Sequence, residues 1–366
     1  MAPFGASGTS SDANLMRVLL LTCLLGAATT YQVGVAGAAR PKFSARRASP
    51  AVAVASPCVI KVVGVGGGGN AVNRMIQFGQ GDLDAVEYWT INTDIQALDA
   101  SLSPNRLGLG AATSRGLGAG GSPAMGRASA EESFDQISQM VGGSDMVFVV
   151  SGMGGGTGSG ASAVVAEAAK QSGALTVGVV TKPFSFEGMR RTRQADEAIG
   201  ELAEHVDAMI VVSNDRLLDL VEEGTPLQEA FCVADDILRQ GVVGISDIII
   251  KPGLINVDFA DVQSVMGGSG LALMGIGTAE GKSRARDAAV AAVSSPLIDF
   301  PISQATGIVF TITGSSDMTL QEVNAAAEAI YDMADPDANI IFGAQIDDEM
   351  AGVLSITVVA TGFSGQ

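Results

Sequence analysis

Two clusters of glycine, each between an apolar run and a helical run, constrain this chain more than any other feature. The first cluster reads V-V-G-V-G-G-G-G-N over residues 62–70, and the second reads S-G-M-G-G-G-T-G-S-G over residues 151–160. Consecutive glycines let neighbouring backbone N–H groups point inward as an anion-binding nest, with a helix N-terminus behind them. Two such loops on one sheet suit a di- or triphosphate, and Thr157 adds a hydroxyl donor.

The body of the chain alternates short β-rich runs with helical runs from Cys58 onward. Most of the β-rich runs are almost continuously apolar, as is typical of strands covered on both faces. This alternation predicts an α/β fold with a doubly wound parallel sheet, which binds ligands at the carboxyl ends of its strands. The predicted strands are Val59–Val65, Ala85–Ile91, Asp145–Val150, Leu175–Val180 and Ala208–Val212, and the helical runs are Ala71–Gln77, Ala161–Lys170 and Glu187–Glu204.

A long amphipathic run over residues 225–241 predicts a central helix. After this helix, the order of predicted strands and helices indicates a second, smaller α/β domain with a mixed sheet. Its predicted elements are strands Ile308–Thr313, Asn339–Ile346 and Leu354–Ala360 and a helix at Leu320–Met333. We therefore predict a targeting leader over residues 1–57, a glycine-loop domain over 58–224, a connecting helix over 225–243 and a C-terminal domain over 244–366.

The chain is strongly acidic. Its formal net charge is −18, and because residues 1–57 carry five basic residues and one acidic residue, the remainder carries −22. Such a charge repels nucleic acid and anionic membrane surfaces, so we expect no nucleic-acid partner and no direct membrane insertion. The three cysteines, Cys23, Cys58 and Cys232, do not form a disulfide framework and indicate a reducing compartment.

Residues 1–57 differ in composition from the rest of the chain. Arg17 precedes the apolar stretch Val18–Ala28, which has the length of a signal-peptide core and is short for a membrane span. Lys42–Pro50 is rich in Ser, Ala and Arg and free of acidic residues, as transit peptides are. A signal-like segment followed by a transit-like segment predicts a bipartite leader for the plastid (chloroplast) stroma, and a mitochondrial presequence is the alternative.

Ordered motifs along the chain give a specific family resemblance. Gly154–Gly160, G-G-G-T-G-S-G, matches the tubulin/FtsZ signature, and Gly253–Val262, G-L-I-N-V-D-F-A-D-V, matches the FtsZ catalytic loop. Further FtsZ loops are matched in order at Asn92–Asp94, Gly116–Pro123, Thr181–Arg191 and Asn214–Arg216. The chain thus resembles the FtsZ family over about residues 58–363. That family consists of GTPases that polymerise head to tail into a division filament and complete each active site between neighbouring subunits.

The resemblance implies that the domain over residues 58–224 binds GTP or GDP, with Mg²⁺ as the companion ion. It places the α- and β-phosphates on the two glycine clusters, the γ-phosphate on a third loop, and the ribose edge near two charged side chains. A carboxylate at Asp235 would accept from guanine N1–H and N2–H₂ together, a paired donor edge that adenine lacks. The implied nucleotide-binding residues are Gly66, Gly67, Gly68, Gly69, Asn70, Asp94, Ala119, Gly120, Gly121, Gly156, Thr157, Gly158, Glu187, Arg191, Asn214, Phe231 and Asp235.

Asp258 and Asp261 are spaced so that both can face one way from a turn or a helix start. By resemblance these two acids, with Asn256 beside them, enter the pocket of the next subunit and orient the attacking water. Mg²⁺ and the backbone cradle would stabilise the charge on the phosphates. Hydrolysis would then require polymerisation. Taken without the resemblance, the same two acids favour a solvated turn.

The chain departs from the family pattern at two places. The first glycine loop is one residue short, because Asn70 alone separates Gly69 from Ala71. We expect nucleotide binding to survive this change and turnover to be the property at risk. The sequence also ends at Gln366, just after the last predicted strand, so no partner-docking tail is expected. Copolymerisation with an FtsZ paralogue, and recruitment by separate tethering proteins of the division ring, are predicted instead.

Three functions fit these observations to different degrees. The first is an active, self-assembling GTPase of chloroplast division, and the second is a filament subunit that binds GTP but hydrolyses it poorly. The third is a nicotinamide-dependent oxidoreductase, because such enzymes also pair a glycine loop with an acidic residue about twenty residues on, as Asp94 is here. The second glycine cluster and the segment Asn256–Asp258 argue against the oxidoreductase.

Overall fold

A computed structural model describes residues 58–78, 86–217, 226–251, 253–255, 257–295, 300–347 and 350–363. The predicted leader, Asn256 and Thr225 lie outside these residues. Ten strands are present in this part of the chain: β1 Ile60–Val65, β2 Val86–Asn92, β3 Asn105–Gly108, β4 Met146–Gly152, β5 Leu175–Lys182, β6 Ala208–Ser213, β7 Gly270–Glu280, β8 Gly307–Gly314, β9 Asn339–Ile346 and β10 Val353–Thr361.

The helices of the described residues lie between these strands, mostly one or two per crossover. They are α1 Gly68–Phe78, α2 Ile95–Asp99, α3 Pro123–Glu132, α4 Phe134–Val141, α5 Gly156–Gln171, α6 Met189–Ala203, α7 Asn214–Leu217, α8 Leu227–Ile250, α9 Phe259–Met266, α10 Arg284–Val293 and α11 Leu320–Tyr331.

The first six strands form a parallel sheet in the order β3-β2-β1-β4-β5-β6. Strands β1 and β4 are buried along almost their whole length, because helices cover both faces of the sheet. Helices α1 and α8 pack on one face around Met75 and Phe148, while α4, α5 and α6 pack on the other around Ile137 and Leu202. The predicted doubly wound arrangement is confirmed.

The C-terminal strands continue the same sheet and make it mixed. Strand β7 pairs in parallel with the end of β6, and β10 runs antiparallel to both β7 and β8. Strand β9 closes the order β7-β10-β8-β9 and is parallel to β8. Helices α10 and α11 cover one face of this half, around Phe310 and Ile330. The predicted smaller α/β part with a mixed sheet is therefore confirmed.

The central helix is longer than predicted. It begins at Leu227, with Pro226 at the N-cap, and ends at Ile250 rather than near residue 241 or 243. Glycine inside a helical pattern signals a possible end, yet α8 continues past Gly241 and Gly244 because it lies close against the sheet. A Cβ on Gly244 would come within 3.1 Å of the methyl group of Thr357 on β10. Tertiary packing here overrides the local signal.

The other element predictions differ from the structure mainly at their ends. All eight predicted strands are present, whereas β3 and β7 were not predicted. Helices α1 and α5 begin at Gly68 and Gly156, earlier than predicted, so parts of both glycine clusters belong to helix starts. No helix of the described residues has the length and apolarity needed to cross a membrane.

Candidate functional site

The loops that follow β1, β2, β4, β5 and β6 meet above the carboxyl ends of these strands and enclose a cavity of about 490 Å³. We call it the glycine-loop cavity. It contains thirteen of the seventeen predicted nucleotide-binding residues. These are Gly66, Gly67, Asn70, Asp94, Ala119, Gly156, Thr157, Gly158, Glu187, Arg191, Asn214, Phe231 and Asp235. Residues more than 160 positions apart in sequence thus converge on one site, where a doubly wound sheet is expected to bind its ligand.

The second glycine cluster forms the floor of this cavity and the start of α5. Gly155 is the N-cap residue of this sixteen-residue helix, and Thr157 lies in its first turn. Within the loop, the Gly154 N–H donates to Ser159 Oγ at 2.8 Å, which fixes the turn before the helix. The first N–H groups of a helix have no intrahelical acceptor, and the helix dipole adds positive potential. The cavity floor is therefore suited to bind an anion such as phosphate.

The first glycine cluster divides between the cavity and the sheet. Gly66, Gly67 and Asn70 line the cavity, whereas Gly68 and Gly69 are buried and do not. A Cβ on Gly68 would overlap the carbonyl oxygen of Val150, so only glycine lets α1 start this close to β4. The N–H groups of Gly69 and Asn70 donate to the carbonyls of Gly66 and Gly67 at 3.1 Å. Fewer donors of this loop thus remain for a ligand than the sequence indicated.

The loop predicted to hold a γ-phosphate lies at the rim of the cavity. Ala119 lines the cavity together with Gly118, while Gly120 and Gly121 are exposed and lie outside its lining. This loop is attached to the loop after β2 by a bridge between Asp94 and Leu117. Asp94 also caps α2, because its carboxylate accepts from the Gln96 N–H at 2.9 Å.

The far end of the cavity is formed by β6, α7 and α8. Asn214 is 6% exposed, and its side-chain Oδ1 is buried without a hydrogen-bond partner among the described residues. Phe231 presents its ring to the cavity and packs edge-to-face on Phe184, with 5.4 Å between ring centroids. An aromatic face beside an unsatisfied buried carbonyl is a suitable environment for a planar base that carries N–H donors.

Asp235 lies in the same end of the cavity on α8. Burial raises the pKa of its carboxyl group to about 6, although nearby Arg74 partly offsets the effect. Burying a carboxylate without hydrogen-bond donors is unfavourable, and a ligand that supplies donors would relieve this cost. The group is therefore poised to accept from a ligand.

Glu187 and Arg191, at the mouth of the cavity, bind each other. Glu187 and Arg191 form an ion pair one turn apart, and Glu187 also accepts from the Phe184 N–H at 2.9 Å. Asp215 holds the same loop from the other side, accepting from the Ser185 N–H at 2.9 Å. These contacts fix the loop after β5 at the cavity mouth.

Several lining residues were not among the predicted site residues. Asn92 and Thr181 stand in segments that match family loops, and this position in the sequence was the signal that could have found them. Gly152, Met153, Gly155, Pro183 and Ala234 also line the cavity. Thr93 does not line the cavity, but its hydroxyl lies 2.6 Å from the hydroxyl of Thr157.

The predicted catalytic acids lie outside the cavity. They belong to a segment, here called the acid loop, that spans residues 253–261 and is attached to β9 by a bridge between Ile255 and Ala344. Asp258 is the N-cap residue of α9 and accepts from the Asp261 N–H at 2.8 Å. Both acids are exposed, and neither lines the glycine-loop cavity.

A larger cavity, of about 880 Å³, lies between α8, β7 and α10. Its lining combines apolar side chains such as Val233, Ile237 and Ile276 with the two acids Glu229 and Asp236, and it includes no residue of either glycine cluster. The chemistry of the lining therefore favours the smaller cavity as the nucleotide site. Among the described residues, no three His, Cys, Asp or Glu side chains form a group that could hold a metal ion.

Comparison with protein families agrees with this geometry. The family model described as Tubulin/FtsZ family, GTPase domain, matches residues 59–222, which contain most of the glycine-loop cavity. The model described as FtsZ family, C-terminal domain, matches residues 270–364.

Solved structures extend the comparison to most of the chain. An empty FtsZ dimer from M. jannaschii is 41% identical, with a TM-score of 0.80 over 84% of this chain and 89% of that one. A point mutant of FtsZ from M. jannaschii is 42% identical, with a TM-score of 0.79 over 84% and 92%. CetZ2 from Haloferax volcanii, in a GTPγS-bound protofilament, shares the fold at 23% identity, with a TM-score of 0.69 over 82% and 92%. The chain therefore belongs to the tubulin/FtsZ family of GTPases.

Proposed function

We propose that this protein binds GTP in the glycine-loop cavity and hydrolyses it after head-to-tail assembly, when the acid loop of a second copy enters that cavity. One observation carries the proposal. The cavity is assembled within one chain, whereas Asp258 and Asp261 lie on a different exposed part of the same chain. A second copy can bring the two parts together without any change in either.

The nucleotide orientation follows from the lining of the cavity. The start of α5 and the N–H groups around Gly156 favour the phosphates at the floor. The buried Asn214 Oδ1 and the Asp235 carboxylate both lack donors and would accept from the N–H groups of guanine. Adenine presents no paired donor edge to a carboxylate, so this end of the cavity favours guanine.

Magnesium fits this site as a companion of the nucleotide. The ion commonly keeps several waters and binds through one or two carboxylates together with substrate phosphates. Asp94 supplies a carboxylate on the cavity wall beside the rim loop. When bound, the ion would neutralise charge on the phosphates.

Head-to-tail assembly is supported by two separate sets of exposed apolar side chains. Leu117, Phe186 and Met189 stand at the cavity rim and are 78%, 61% and 79% exposed. Leu254 and Ile255 stand on the acid loop and are 64% and 39% exposed. Large exposed apolar groups mark interaction surfaces, and two different surfaces on one chain suit a heterologous contact that repeats along a filament.

In the assembled site, the exposed carboxylates of Asp258 and Asp261 would orient a water toward the γ-phosphorus. The water forms a new P–O bond as the bond to the β-phosphate oxygen breaks, giving GDP and inorganic phosphate that keeps the two protons of the water. The N–H groups at the start of α5 would stabilise the charge on the phosphate oxygens.

Phosphate release measured against protein concentration tests the proposal. The protein used is residues 58–366, with GTP and Mg²⁺ in excess. Turnover per subunit should be close to zero at low concentration and rise sharply above an onset at which filaments appear by electron microscopy. A turnover per subunit that is constant down to the lowest concentration would show that one chain suffices.

A filament subunit with little hydrolysis is the second candidate. It is favoured by the first glycine loop, where the N–H groups of Gly69 and Asn70 already donate within the chain. The same experiment separates the candidates, because filaments without phosphate release support this one.

The cellular setting is a further proposal. We propose chloroplast division as the process, the plastid stroma as the location, and an FtsZ paralogue and tethering proteins as partners in the ring. The composition of residues 1–57 supports the location. A fluorescent fusion of residues 1–57 should collect in plastids, and collection in mitochondria would contradict this part of the proposal.

A further inference from the structure

Thr93 joins two loops that are not neighbours in the sheet. It follows β2, whereas Thr157 follows β4, and β1 lies between these strands. The two hydroxyl oxygens are 2.6 Å apart, the distance of a strong hydrogen bond. Thr93 is 1% exposed and does not line the cavity, while Thr157 does.

The backbone of Thr93 holds the rim loop at the same time. Its carbonyl oxygen accepts from the Gly118 N–H at 3.0 Å. The residue is therefore tied by its main chain to the rim loop and by its side chain to the floor of the cavity.

The direction of the hydroxyl–hydroxyl bond matters for the ligand. A threonine hydroxyl has one hydrogen to donate and two lone pairs to accept with. If Thr157 donates its hydrogen to a phosphate oxygen, it has none left for Thr93. Thr93 must then donate, and accepting this bond makes the Thr157 hydroxyl a stronger donor.

We propose that Thr93 is a positioning residue for nucleotide binding, because its hydroxyl donates to Thr157 and leaves the Thr157 hydrogen for a phosphate oxygen. This inference rests on the proposed binding of a guanine nucleotide in the cavity. A threonine that only fills the core would affect folding but would not act through Thr157.

A double-mutant cycle on GDP affinity tests the inference. GDP binding to the full chain is measured for the parent, Thr93→Val, Thr157→Val and the double variant, with circular dichroism as the check on folding. Valine keeps the approximate shape of threonine and replaces its hydroxyl with a methyl group. Thr93→Val should weaken GDP binding about fivefold, the loss expected for one hydrogen bond in this range. In the Thr157→Val background the same substitution should change affinity by less than about twofold, because the coupling partner is gone.

Thr93→Ser supplies the matched control. Serine keeps the hydroxyl and lacks only the methyl group, so Thr93→Ser should bind GDP within about twofold of the parent. If Thr93→Val does not fold, Thr93→Ala and Thr93→Ser give the same comparison.

Two results would overturn the inference. One is an unchanged GDP affinity in folded Thr93→Val, and the other is an equal loss with and without the Thr157 hydroxyl. A parent protein that does not bind GDP would overturn the proposed function as well, so the two failures are distinguishable.

Discussion

The glycine-loop cavity and the acid loop both depend on polar side chains, but these side chains differ in their exposure to solvent. In the cavity, the buried Asn214 Oδ1 has no hydrogen-bond partner among the described residues, and the half-buried Asp235 carboxyl has its pKa raised by burial. In the acid loop, Asp258 and Asp261 are exposed, and one caps the turn that carries the other. The cavity therefore contains acceptors that a ligand could satisfy, whereas the acids of the acid loop are exposed and accessible to another molecule.

This difference separates binding from hydrolysis. Under the proposed function, everything needed to bind the nucleotide belongs to one chain, and the groups that orient water belong to the next. Substitutions in the cavity should then change affinity, whereas substitutions in the acid loop should change turnover alone. The predictions below test that separation, from the largest expected effect on nucleotide chemistry to the smallest.

Replacing Asp261 should have the largest effect. Asp261→Ala should lower GTP turnover by about a hundredfold or more, the usual contribution of a positioned acid or base. GDP affinity should stay within about twofold of the parent, because the side chain does not line the cavity. Phosphate release and GDP binding on the same preparation check both values.

Asp135→Ala is the matched control for this substitution. Asp135 is also an exposed acid in the first turn of a helix, α4, away from the cavity and the acid loop. It should leave turnover unchanged. An Asp261→Ala protein with parental turnover would contradict the proposed separation of nucleotide binding from hydrolysis.

Lowering pH should weaken GDP binding through Asp235. Only the ionised carboxylate accepts from both guanine N–H groups, and in the free protein its pKa is raised to about 6 by burial. Affinity should therefore fall by about tenfold for each pH unit below 6. Because GDP itself titrates nearby, the test compares the parent with Asp235→Asn, whose affinity should lack this component. Parallel pH profiles for the two proteins would contradict the role given to Asp235.

The raised pKa of Asp235 affects the stability of the nucleotide-free protein in the direction opposite to its effect on GDP affinity. A carboxyl whose pKa is higher in the folded than in the unfolded state stabilises the fold below its unfolded pKa and loses that contribution as pH rises through about 6. The nucleotide-free protein should thus lose this part of its stability between about pH 4 and 6, while GDP affinity rises. Thermal unfolding of the parent and Asp235→Asn with and without GDP checks the sign.

The smallest effect on nucleotide chemistry is expected in the C-terminal half. Arg284 is 7% exposed and donates to Glu322 at 2.6 Å and to Asp317 at 3.0 Å, joining α10 to α11. Hydrogen bonds from Arg284 lower the pKa of Glu322 to about 2. Glu322→Gln should lower the free energy of unfolding at pH 7 by about 2 kcal/mol, the value of a hydrogen bond between charged groups. GDP affinity should not change.

Acid titration gives a second readout of this pair. A carboxyl whose pKa is lower in the folded than in the unfolded state stabilises the fold above its unfolded pKa. That contribution disappears as pH falls toward 2, the folded pKa of Glu322. Glu322→Gln lacks the contribution and should therefore lose less stability on acidification. Glu328→Gln, an exposed acid on the same helix, should change stability by less than about 0.5 kcal/mol. A change in GDP affinity with Glu322→Gln would show that the two halves are coupled.

The sequence predicted the parallel half well because its strands are apolar on both faces. Short apolar runs such as Val147–Val150, alternating with helical runs, predict buried parallel strands, and the sheet brings the loops after these strands together. The thirteen residues of the cavity were named by resemblance to the family, and the sheet explains why residues so far apart in sequence share one site. The acid loop was found only by resemblance, since two acids on an exposed turn carry no local signal.

The failures have physical causes. Strand β7 contains Gly275 and Gly277, which weaken the strand pattern, and its pairing with β10 depends on residues 73 to 89 positions away. Strand β3 is only four residues long. Helix α8 continues through Gly244 because of packing on Thr357. The raised pKa of Asp235 and the Thr93–Thr157 bond arise from distant contacts that no local pattern contains.

Mixing two variants with complementary defects, at a GTP concentration that Asp235→Ala does not bind, tests the shared site most directly. Asp261→Ala keeps the cavity and lacks the acid, whereas Asp235→Ala keeps the acid loop and lacks the guanine acceptor. In an equal mixture above the assembly onset, some contacts place an intact cavity against an intact acid loop, so GTP turnover should exceed that of either variant alone several-fold. Turnover equal to the mean of the two, with both variants present in the sedimented filaments, would contradict a site completed by the neighbouring subunit.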